Sequence, residues 1–279
     1  MKVTCWGTRG SIATPGPETA RYGGNTTCVE VLLDNGNCLV FDAGTGIRKL
    51  GNALIARGLP VDISLFLTHA HWDHIQGFPF FTPAYVSGNR LQIYGYYQGA
   101  EHIEDILVDQ MESIHFPVNF NAMQADITFH NITTRTCNID GVTISCADIN
   151  HPGGGVGYRI EADDSVLVFI PDNDLTPSDE EPIFKQMAEF CQGADLLFHD
   201  SQFTPEQYER FPTWGHSNYQ RAVKLALVAG VPRLGLFHHD PGHDDNMIDS
   251  MVFQSRNIIH EADASVECFG AREGETLEV

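Results

Sequence analysis

The sequence predicts an α/β fold in which many strands end at a polar edge. Two observations carry this. Apolar runs of strand length alternate with loops and a few helix-like stretches. Five of those runs stop at a carboxylate or an imidazole. Sheets commonly hold ligand sites at strand ends, where open loops meet fixed backbone.

Cys38-Leu39-Val40-Phe41 runs into Asp42-Ala43-Gly44, and Ile63 to Leu67 runs into Thr68-His69. Ser165 to Ile170 reaches Pro171-Asp172, Asp195 to Phe198 reaches His199-Asp200, and Arg233 to Phe237 reaches His238-His239-Asp240. Helices are expected over Gly46 to Gly58, Ala100 to Ser113, Glu180 to Gln192 and Asn218 to Gly230. In the last, Ala222, Leu225, Ala226 and Ala229 keep helical spacing, and Gly230 with Pro232 supplies the stop. The second half loosely echoes the first: a strand ending in Asp, a helical segment, then a strand ending in a His cluster.

The chain has 279 residues, room for one large domain or two tightly fused halves. At 42% apolar and 19% charged it can bury a substantial core. No apolar run approaches the roughly 18–20 residues of a membrane span. Met1 to Gly7 lacks a leader pattern, so the expected address is the cytoplasm. Seven cysteines without a Cys-x-x-Cys pair do not make a disulfide framework. Cys5, Cys28, Cys38 and Cys146 read as small buried residues in a reducing compartment. The net charge of −21 opposes a broad nucleic-acid surface. A small anionic substrate stays compatible with it, because bound divalent cations reverse the local potential.

The stretch Thr68-His69-Ala70-His71-Trp72-Asp73-His74 puts three imidazoles and a carboxylate within six residues. Such groups are borderline ligands for zinc and its neighbours. Four of them on one turn crowd a single ion, so the spacing points to two metals side by side and to hydrolysis. His69 and His71, two apart on an extended segment, share a side, and Asp73 and His74 can face another ion.

This motif resembles the His-x-His-x-Asp-His signature of the metallo-β-lactamase superfamily, and later elements match in order along nearly the whole chain. The resemblance implies a single αββα four-layer sandwich over 1–279, with a dinuclear metal site at the sheet edge. It implies that His69, His71 and His151 (in Asn150-His151-Pro152) surround one metal. Asp73, His74 and a histidine of His238-His239 would surround the other, with His238 preferred, and Asp172 would bridge the two. Asp42 would be a group behind the ligands, or else a loop cap. Zinc is the first choice of metal, with manganese or iron as alternatives.

Ala194 to Ser201 and Gly215-His216-Ser217-Asn218 are similar to the phosphodiesterase branch, which holds the tRNA 3′-processing endonucleases and the cyclic-nucleotide phosphodiesterases. By that match His216 is a general acid oriented by Asp200, and Asp73 joins them as a catalytic candidate. Asp200 and Asn218 stand where the branch usually has Glu and Thr, which opens the reach to His216 to question. The alternative is that His216 caps the following helix. Gly7-Thr8-Arg9-Gly10-Ser11 and Gly23-Gly24-Asn25-Thr26-Thr27 also resemble this branch. Arg9 and Asn25 are therefore candidate substrate contacts, against a structural ion pair for Arg9.

The implied function is hydrolysis of a small cyclic phosphodiester, first a 3′,5′-cyclic nucleotide, by a metal-bridging hydroxide. The rivals are an RNA 3′-processing endonuclease, a lactonase or thioesterase, and a binding protein on the same fold. The charge speaks against a nucleic-acid polymer, and every expected ligand position is filled. The segment 83–138 is expected to hold a lid or substrate wall. Its aromatics Tyr94, Tyr96 and Tyr97, with Phe116 to Phe120, read first as core packing. His102, His130 and His260 read as surface residues. His115 has an alternative at the substrate mouth. A homodimer is implied by the resemblance alone.

Overall fold

Strands buried on both faces are apolar throughout, and that pattern sets the centre of this protein. The computed structural model describes residues 1–95, 102–139, 141–176 and 178–279. Its strands are β1 (Lys2–Gly7), β2 (Cys28–Leu32), β3 (Cys38–Phe41), β4 (Asp62–Leu67), β5 (Arg90–Gly95), β6 (Asp126–Asn131) and β7 (Thr136–Ile139). They continue with β8 (Val142–Asp148), β9 (Val156–Ala162), β10 (Ser165–Ile170), β11 (Leu196–Asp200), β12 (Arg233–Phe237), β13 (Glu267–Gly270) and β14 (Thr276–Glu278). The helices are α1 (Ile47–Arg57), α2 (Trp72–Ile75), α3 (Ile103–Asp109), α4 (Pro182–Cys191), α5 (Pro205–Tyr208), α6 (Tyr219–Ala229) and α7 (Asp245–Glu261).

The strands form two seven-stranded sheets, ordered β14-β1-β2-β3-β4-β5-β6 and β13-β12-β11-β10-β9-β8-β7. In the first, β3 to β6 run parallel. In the second, β10 to β13 do. Parallel neighbours end on the same side, so the polar strand ends of each sheet gather at one edge.

Alternation along each strand decides the layers. Leu39, Phe41 and Phe66 point at Tyr158, Leu167, Phe169, Phe198 and Phe237 of the other sheet. Cys38, Val40, Ile63, Leu65 and Leu67 point outward to Ile47, Leu50 and Leu54 of α1 and Ile103 and Leu107 of α3. Val168, Ile170, Leu197, Leu234 and Leu236 meet α4, α6 and α7 through Phe184, Met187, Leu225, Ala226, Ile248 and Met251. Helices, sheet, sheet, helices: this is the αββα sandwich. The inter-sheet layer is rich in aromatic pairs, such as Phe41 on Phe66 with centroids 5.2 Å apart. Truncating such a buried ring to alanine costs about 3–5 kcal/mol.

The predicted helices fall where the caps dictate. α1 lies between Gly46 and Gly58. The Asn218 side chain accepts the Arg221 N–H at 3.1 Å to start α6, and Gly230 ends it at φ 69°. Of the stretch expected from Ala100, the helix is α3, and residues 96–101, with Tyr96 and Tyr97, lie outside the described residues. The longest helix, α7, carries no expectation: Ile248, Met251, Val252 and Ile259 keep helical spacing but are interleaved with Asp249, Ser250, Ser255 and Arg256.

The described part of 83–138 builds β5, α3, β6 and the start of β7. Phe116 and Phe120 pack on Phe80 and Phe78. His130, expected at the surface, is half-buried and stacks on Tyr94. All seven cysteines are free. Among the described residues no helix is long and apolar enough to cross a membrane.

Candidate metal centre

The ends of β3, β4, β10, β11 and β12 meet at one edge of the sandwich and bring eight of the predicted side chains together. β4 delivers Thr68 and His69, and its following turn carries His71 into α2, where Asp73 and His74 sit. The three nitrogens His69 Nε2, His71 Nδ1 and His151 Nε2 converge, with His71 Nδ1 3.0 Å from each of the others. The far nitrogen of two of these rings is already engaged. His151 Nδ1–H donates to the Gly215 carbonyl at 2.8 Å. The Thr68 hydroxyl donates to Asp42, so it accepts from His69 Nδ1–H at 3.0 Å. His69 and His151 therefore aim lone pairs inward. Burial holds all three imidazoles below their usual range, so they are neutral.

A second group adjoins the first. His74 Nε2 lies 3.0 Å from Asp172 Oδ1 and 3.4 Å from Asp73 Oδ2. His238 Nε2 lies 3.2 Å from each of the same two oxygens. The Nδ1 atoms are held from behind, His74 by Asp42 at 2.8 Å and His238 by Gln202 Oε1 at 2.9 Å. Asp172 faces both groups: Oδ2 is 3.7 Å from His69 and 3.6 Å from His151, while Oδ1 serves the second set.

This donor set fits two divalent cations. Tetrahedral zinc with bonds of about 2.0–2.1 Å spaces its ligands about 3.3 Å apart, and the facing atoms here sit 3.0–3.7 Å apart. His74 Nε2 and Asp172 Oδ1 are buried with no hydrogen-bond partner, a costly arrangement unless a cation lies between them. Burial opposes charge on His74, but Asp172, Asp73 and Asp42 outweigh it and raise its pKa. Asp73 is pulled well below the carboxylate range by His74 and His238 despite its burial.

Asp42 is fully buried and organises this centre from behind rather than capping a loop end. It accepts the Thr68 N–H at 2.8 Å, the Thr68 hydroxyl and His74 Nδ1–H. Asp42 and His238 both adopt left-handed backbone, at φ 62° and 59°. That is uncommon for residues with a Cβ, and such strain concentrates at functional sites. His239, the alternative to His238, turns away. Its Nε2 bonds to the Ala271 carbonyl at 2.9 Å, and its ring packs edge-on against Tyr22.

His216 Nδ1 meets Asp200 Oδ2 at 2.8 Å, so the shorter acid does reach. Asp200 also accepts the N–H groups of Asn173 and Gln202, each at 2.9 Å. Helix α6 is capped by Asn218 instead of His216. His216 is 7% exposed. Burial opposes its charge, but Asp200, Asp172 and Asp73 prevail and lift the imidazole to about 9. His216 also lies within ligand reach of His151 and Asp172.

Arg9 and Asn25 are corrections. Arg9 is completely buried. Among the described residues its guanidinium forms no ion pair and lines no part of the metal cavity, but holds the backbone carbonyls of Gly23, Asp240 and His243 at 2.7–3.0 Å. Asn25 donates its side-chain and backbone N–H groups to Glu273. The glycines beside Arg9 serve close packing: a Cβ at Gly7 would meet Thr26 O at 1.8 Å, and one at Gly10 would meet His238 Nδ1 at 2.3 Å. His115 is exposed and is not among the residues lining the cavity over the cluster.

Other contributors carry little sequence signal. Gln202 orients His238 and is also tied to Asp200, although glutamine two residues past a strand end is commonplace. The Ser11 N–H donates to Asp73 Oδ2 at 2.7 Å. The cluster opens into a cavity of about 550 Å³, walled by Trp72, Pro152 and Trp214. Among the described residues its lining, which also includes Ser11 and Ala70, contains no Lys or Arg and draws none from 83–138.

Comparison with known proteins agrees with this fold. The family described as "Beta-lactamase superfamily domain" matches residues 37–239. Ribonuclease Z from Picrophilus torridus is 22% identical over 96% of this chain and 94% of its own length. Two solved structures share the fold. The metallo-beta-lactamase fold protein YhfI from Bacillus subtilis has TM-score 0.72 and 21% identity, with 99% of each chain covered. The short form of human tRNase Z has TM-score 0.68 and 19% identity, covering 100% of this chain and 99% of its own. With the matched family spanning most of the chain and the sandwich carrying it, this protein belongs to the metallo-β-lactamase superfamily.

Proposed function

We propose that this metal-dependent phosphodiester hydrolase acts on a small cyclic phosphodiester, with a 3′,5′-cyclic nucleotide as first choice. The observation that carries the reading is the His216–Asp200 pair, bonded at 2.8 Å, with His216 on the wall of the cavity over the two donor sets and Asp200 buried behind it. His69, His71 and His151 would hold one ion and Asp73, His74 and His238 the other, with Asp172 between them. Zinc is the first choice, and manganese or iron suit the same donors. Two divalent ions there supply Lewis acidity toward a phosphoryl oxygen and an acidified water.

The chain's own groups do the rest. Asp200 accepts the hydrogen bond of His216 Nδ1–H, which leaves the Nε2 proton for the cavity side. An imidazole raised to about 9 is protonated near neutrality, so His216 can donate to the departing ester oxygen. Such general acid catalysis contributes typically 10²–10⁴-fold. A lactone or thioester hydrolase has less need of this acid. A lining without Lys or Arg, on a chain of net charge −21, favours a substrate with few phosphates. The seven free cysteines suit a reducing, cytoplasmic setting, and a homodimer remains part of the same proposal.

RNA 3′-end processing is the second reading. Its support is that relatives named ribonuclease Z align along nearly the whole chain. The test is a panel of 3′,5′-cyclic nucleotides, a 3′-extended tRNA precursor and an acyl-homoserine lactone, each with and without chelator. Chelator-sensitive turnover of the cyclic nucleotides is expected. Cleavage of the tRNA precursor alone would establish the second reading, and turnover of the lactone alone would overturn both.

A further inference from the structure

Two of the three tryptophans stand on the wall of the metal cavity with large parts of their rings in solvent. Trp72 is 81% exposed and Trp214 is 54% exposed. Burying an indole is among the larger apolar gains open to a side chain, and here that gain is left for something that enters the cavity.

Their positions tie them to the chemistry. Trp72 lies between His71 and Asp73, one from each donor set, and opens α2. Trp214 precedes Gly215, whose carbonyl holds His151, and stands two residues before His216. The Trp214 ring is backed by Phe211 at 4.7 Å. Phe211 rests on Phe203 at 5.6 Å, and Phe203 meets the His216 ring edge-on at 5.8 Å. That wall is fixed from behind. Among the described residues no ring packs on Trp72, which leaves its faces available.

We propose that Trp72 and Trp214 form an aromatic subsite that stacks on the base of a nucleotide whose phosphate sits over the metal cluster. With no Lys or Arg in the described lining, these flat apolar faces, beside the smaller Ser11, Ala70 and Pro152, are what can recognise the part of the substrate beyond the phosphate. Stacking on an indole selects for a ring and tolerates its identity, because every base presents a π-face. The subsite accordingly separates nucleotides from aliphatic phosphodiesters and discriminates weakly among bases. A cavity of about 550 Å³ lies within the usual range for one small-molecule ligand.

This rests on the phosphodiesterase reading for the placement of the phosphate, so the test separates the two. Adenosine 5′-monophosphate and ribose 5-phosphate are titrated into the metal-loaded protein, with binding read by indole fluorescence and calorimetry. Adenosine 5′-monophosphate is expected to bind about tenfold more tightly. Trp72→Ala and Trp214→Ala should each remove most of that preference, mainly by weakening adenosine 5′-monophosphate, and Trp72→Phe should keep most of it. Equal affinity of the two probes for the wild type overturns the subsite, as does equal weakening of both probes in the alanine variants. In parallel, kcat and KM are compared for 3′,5′-cyclic AMP and for the same cyclic phosphate on a ribose lacking the base. Turnover of both with the same KM removes the subsite and leaves the phosphodiesterase. Turnover of neither, with the adenosine 5′-monophosphate preference intact, removes the phosphodiesterase and leaves the subsite.

Discussion

Replacing Asp42 with asparagine tests how the metal centre is held from behind. The exchange keeps size, and asparagine accepts the left-handed φ of 62° that this position requires. One oxygen can still accept the Thr68 N–H and hydroxyl, at 2.8 and 3.0 Å. The new NH₂ then takes the place of Oδ2, 2.8 Å from His74 Nδ1. Two donors cannot face each other there. The imidazole must move its proton to Nε2, the atom that points at Asp172 and Asp73, and a protonated nitrogen cannot bind a metal. Loss of such a supporting partner typically costs 10–100-fold in metal affinity, or about 1.4–2.7 kcal/mol. Equilibrium dialysis in metal buffers should show one site weakened by that factor. The site formed by His69, His71 and His151 should be little changed, since its link to Asp42 runs indirectly through Thr68, whose bonds to the retained oxygen survive. Circular dichroism should stay that of the wild type. Two sites of wild-type affinity in a folded Asp42→Asn protein would refute the reasoning.

Three further outcomes follow from the geometry. His216→Ala should lower kcat about 10²–10⁴-fold for an alkoxide leaving group, and far less for p-nitrophenolate, which leaves without a proton; equal losses on both substrates would contradict the acid role. Arg9→Ala should destabilise the fold by about 3 kcal/mol, since three backbone carbonyls, one buried and two part-buried, lose their donor, with KM unchanged in the protein that folds. His238→Ala should lower metal content in dialysis while His239→Gln leaves it intact, because His238 faces Asp73 and Asp172 whereas His239 is turned to the Ala271 carbonyl.

The parts of the site that were legible in the sequence are those fixed by short spacing or by a strand end. His69, His71, Asp73 and His74 are set by one turn, and Asp172 and His238 follow apolar runs whose parallel pairing directs them to one edge. The glycine-rich loops around Arg9 and Asn25 misled because glycine serves phosphate approach and tight packing equally well. Here Gly7 and Gly10 let the chain pass against Thr26 and His238. Gln202 and the wall built by Trp214 depend on contacts between distant segments, and helix α7 hides its apolar stripe among polar residues, so no local pattern announces them.

Metal content and turnover measured on one preparation test the central claim most directly. The protein loaded with zinc or manganese should carry two ions per chain and hydrolyse a cyclic phosphodiester. Turnover should fall to the blank on full demetallation and return with added metal. Undiminished turnover by the fully demetallated protein, or a saturated content of one ion per chain in the active enzyme, would contradict it.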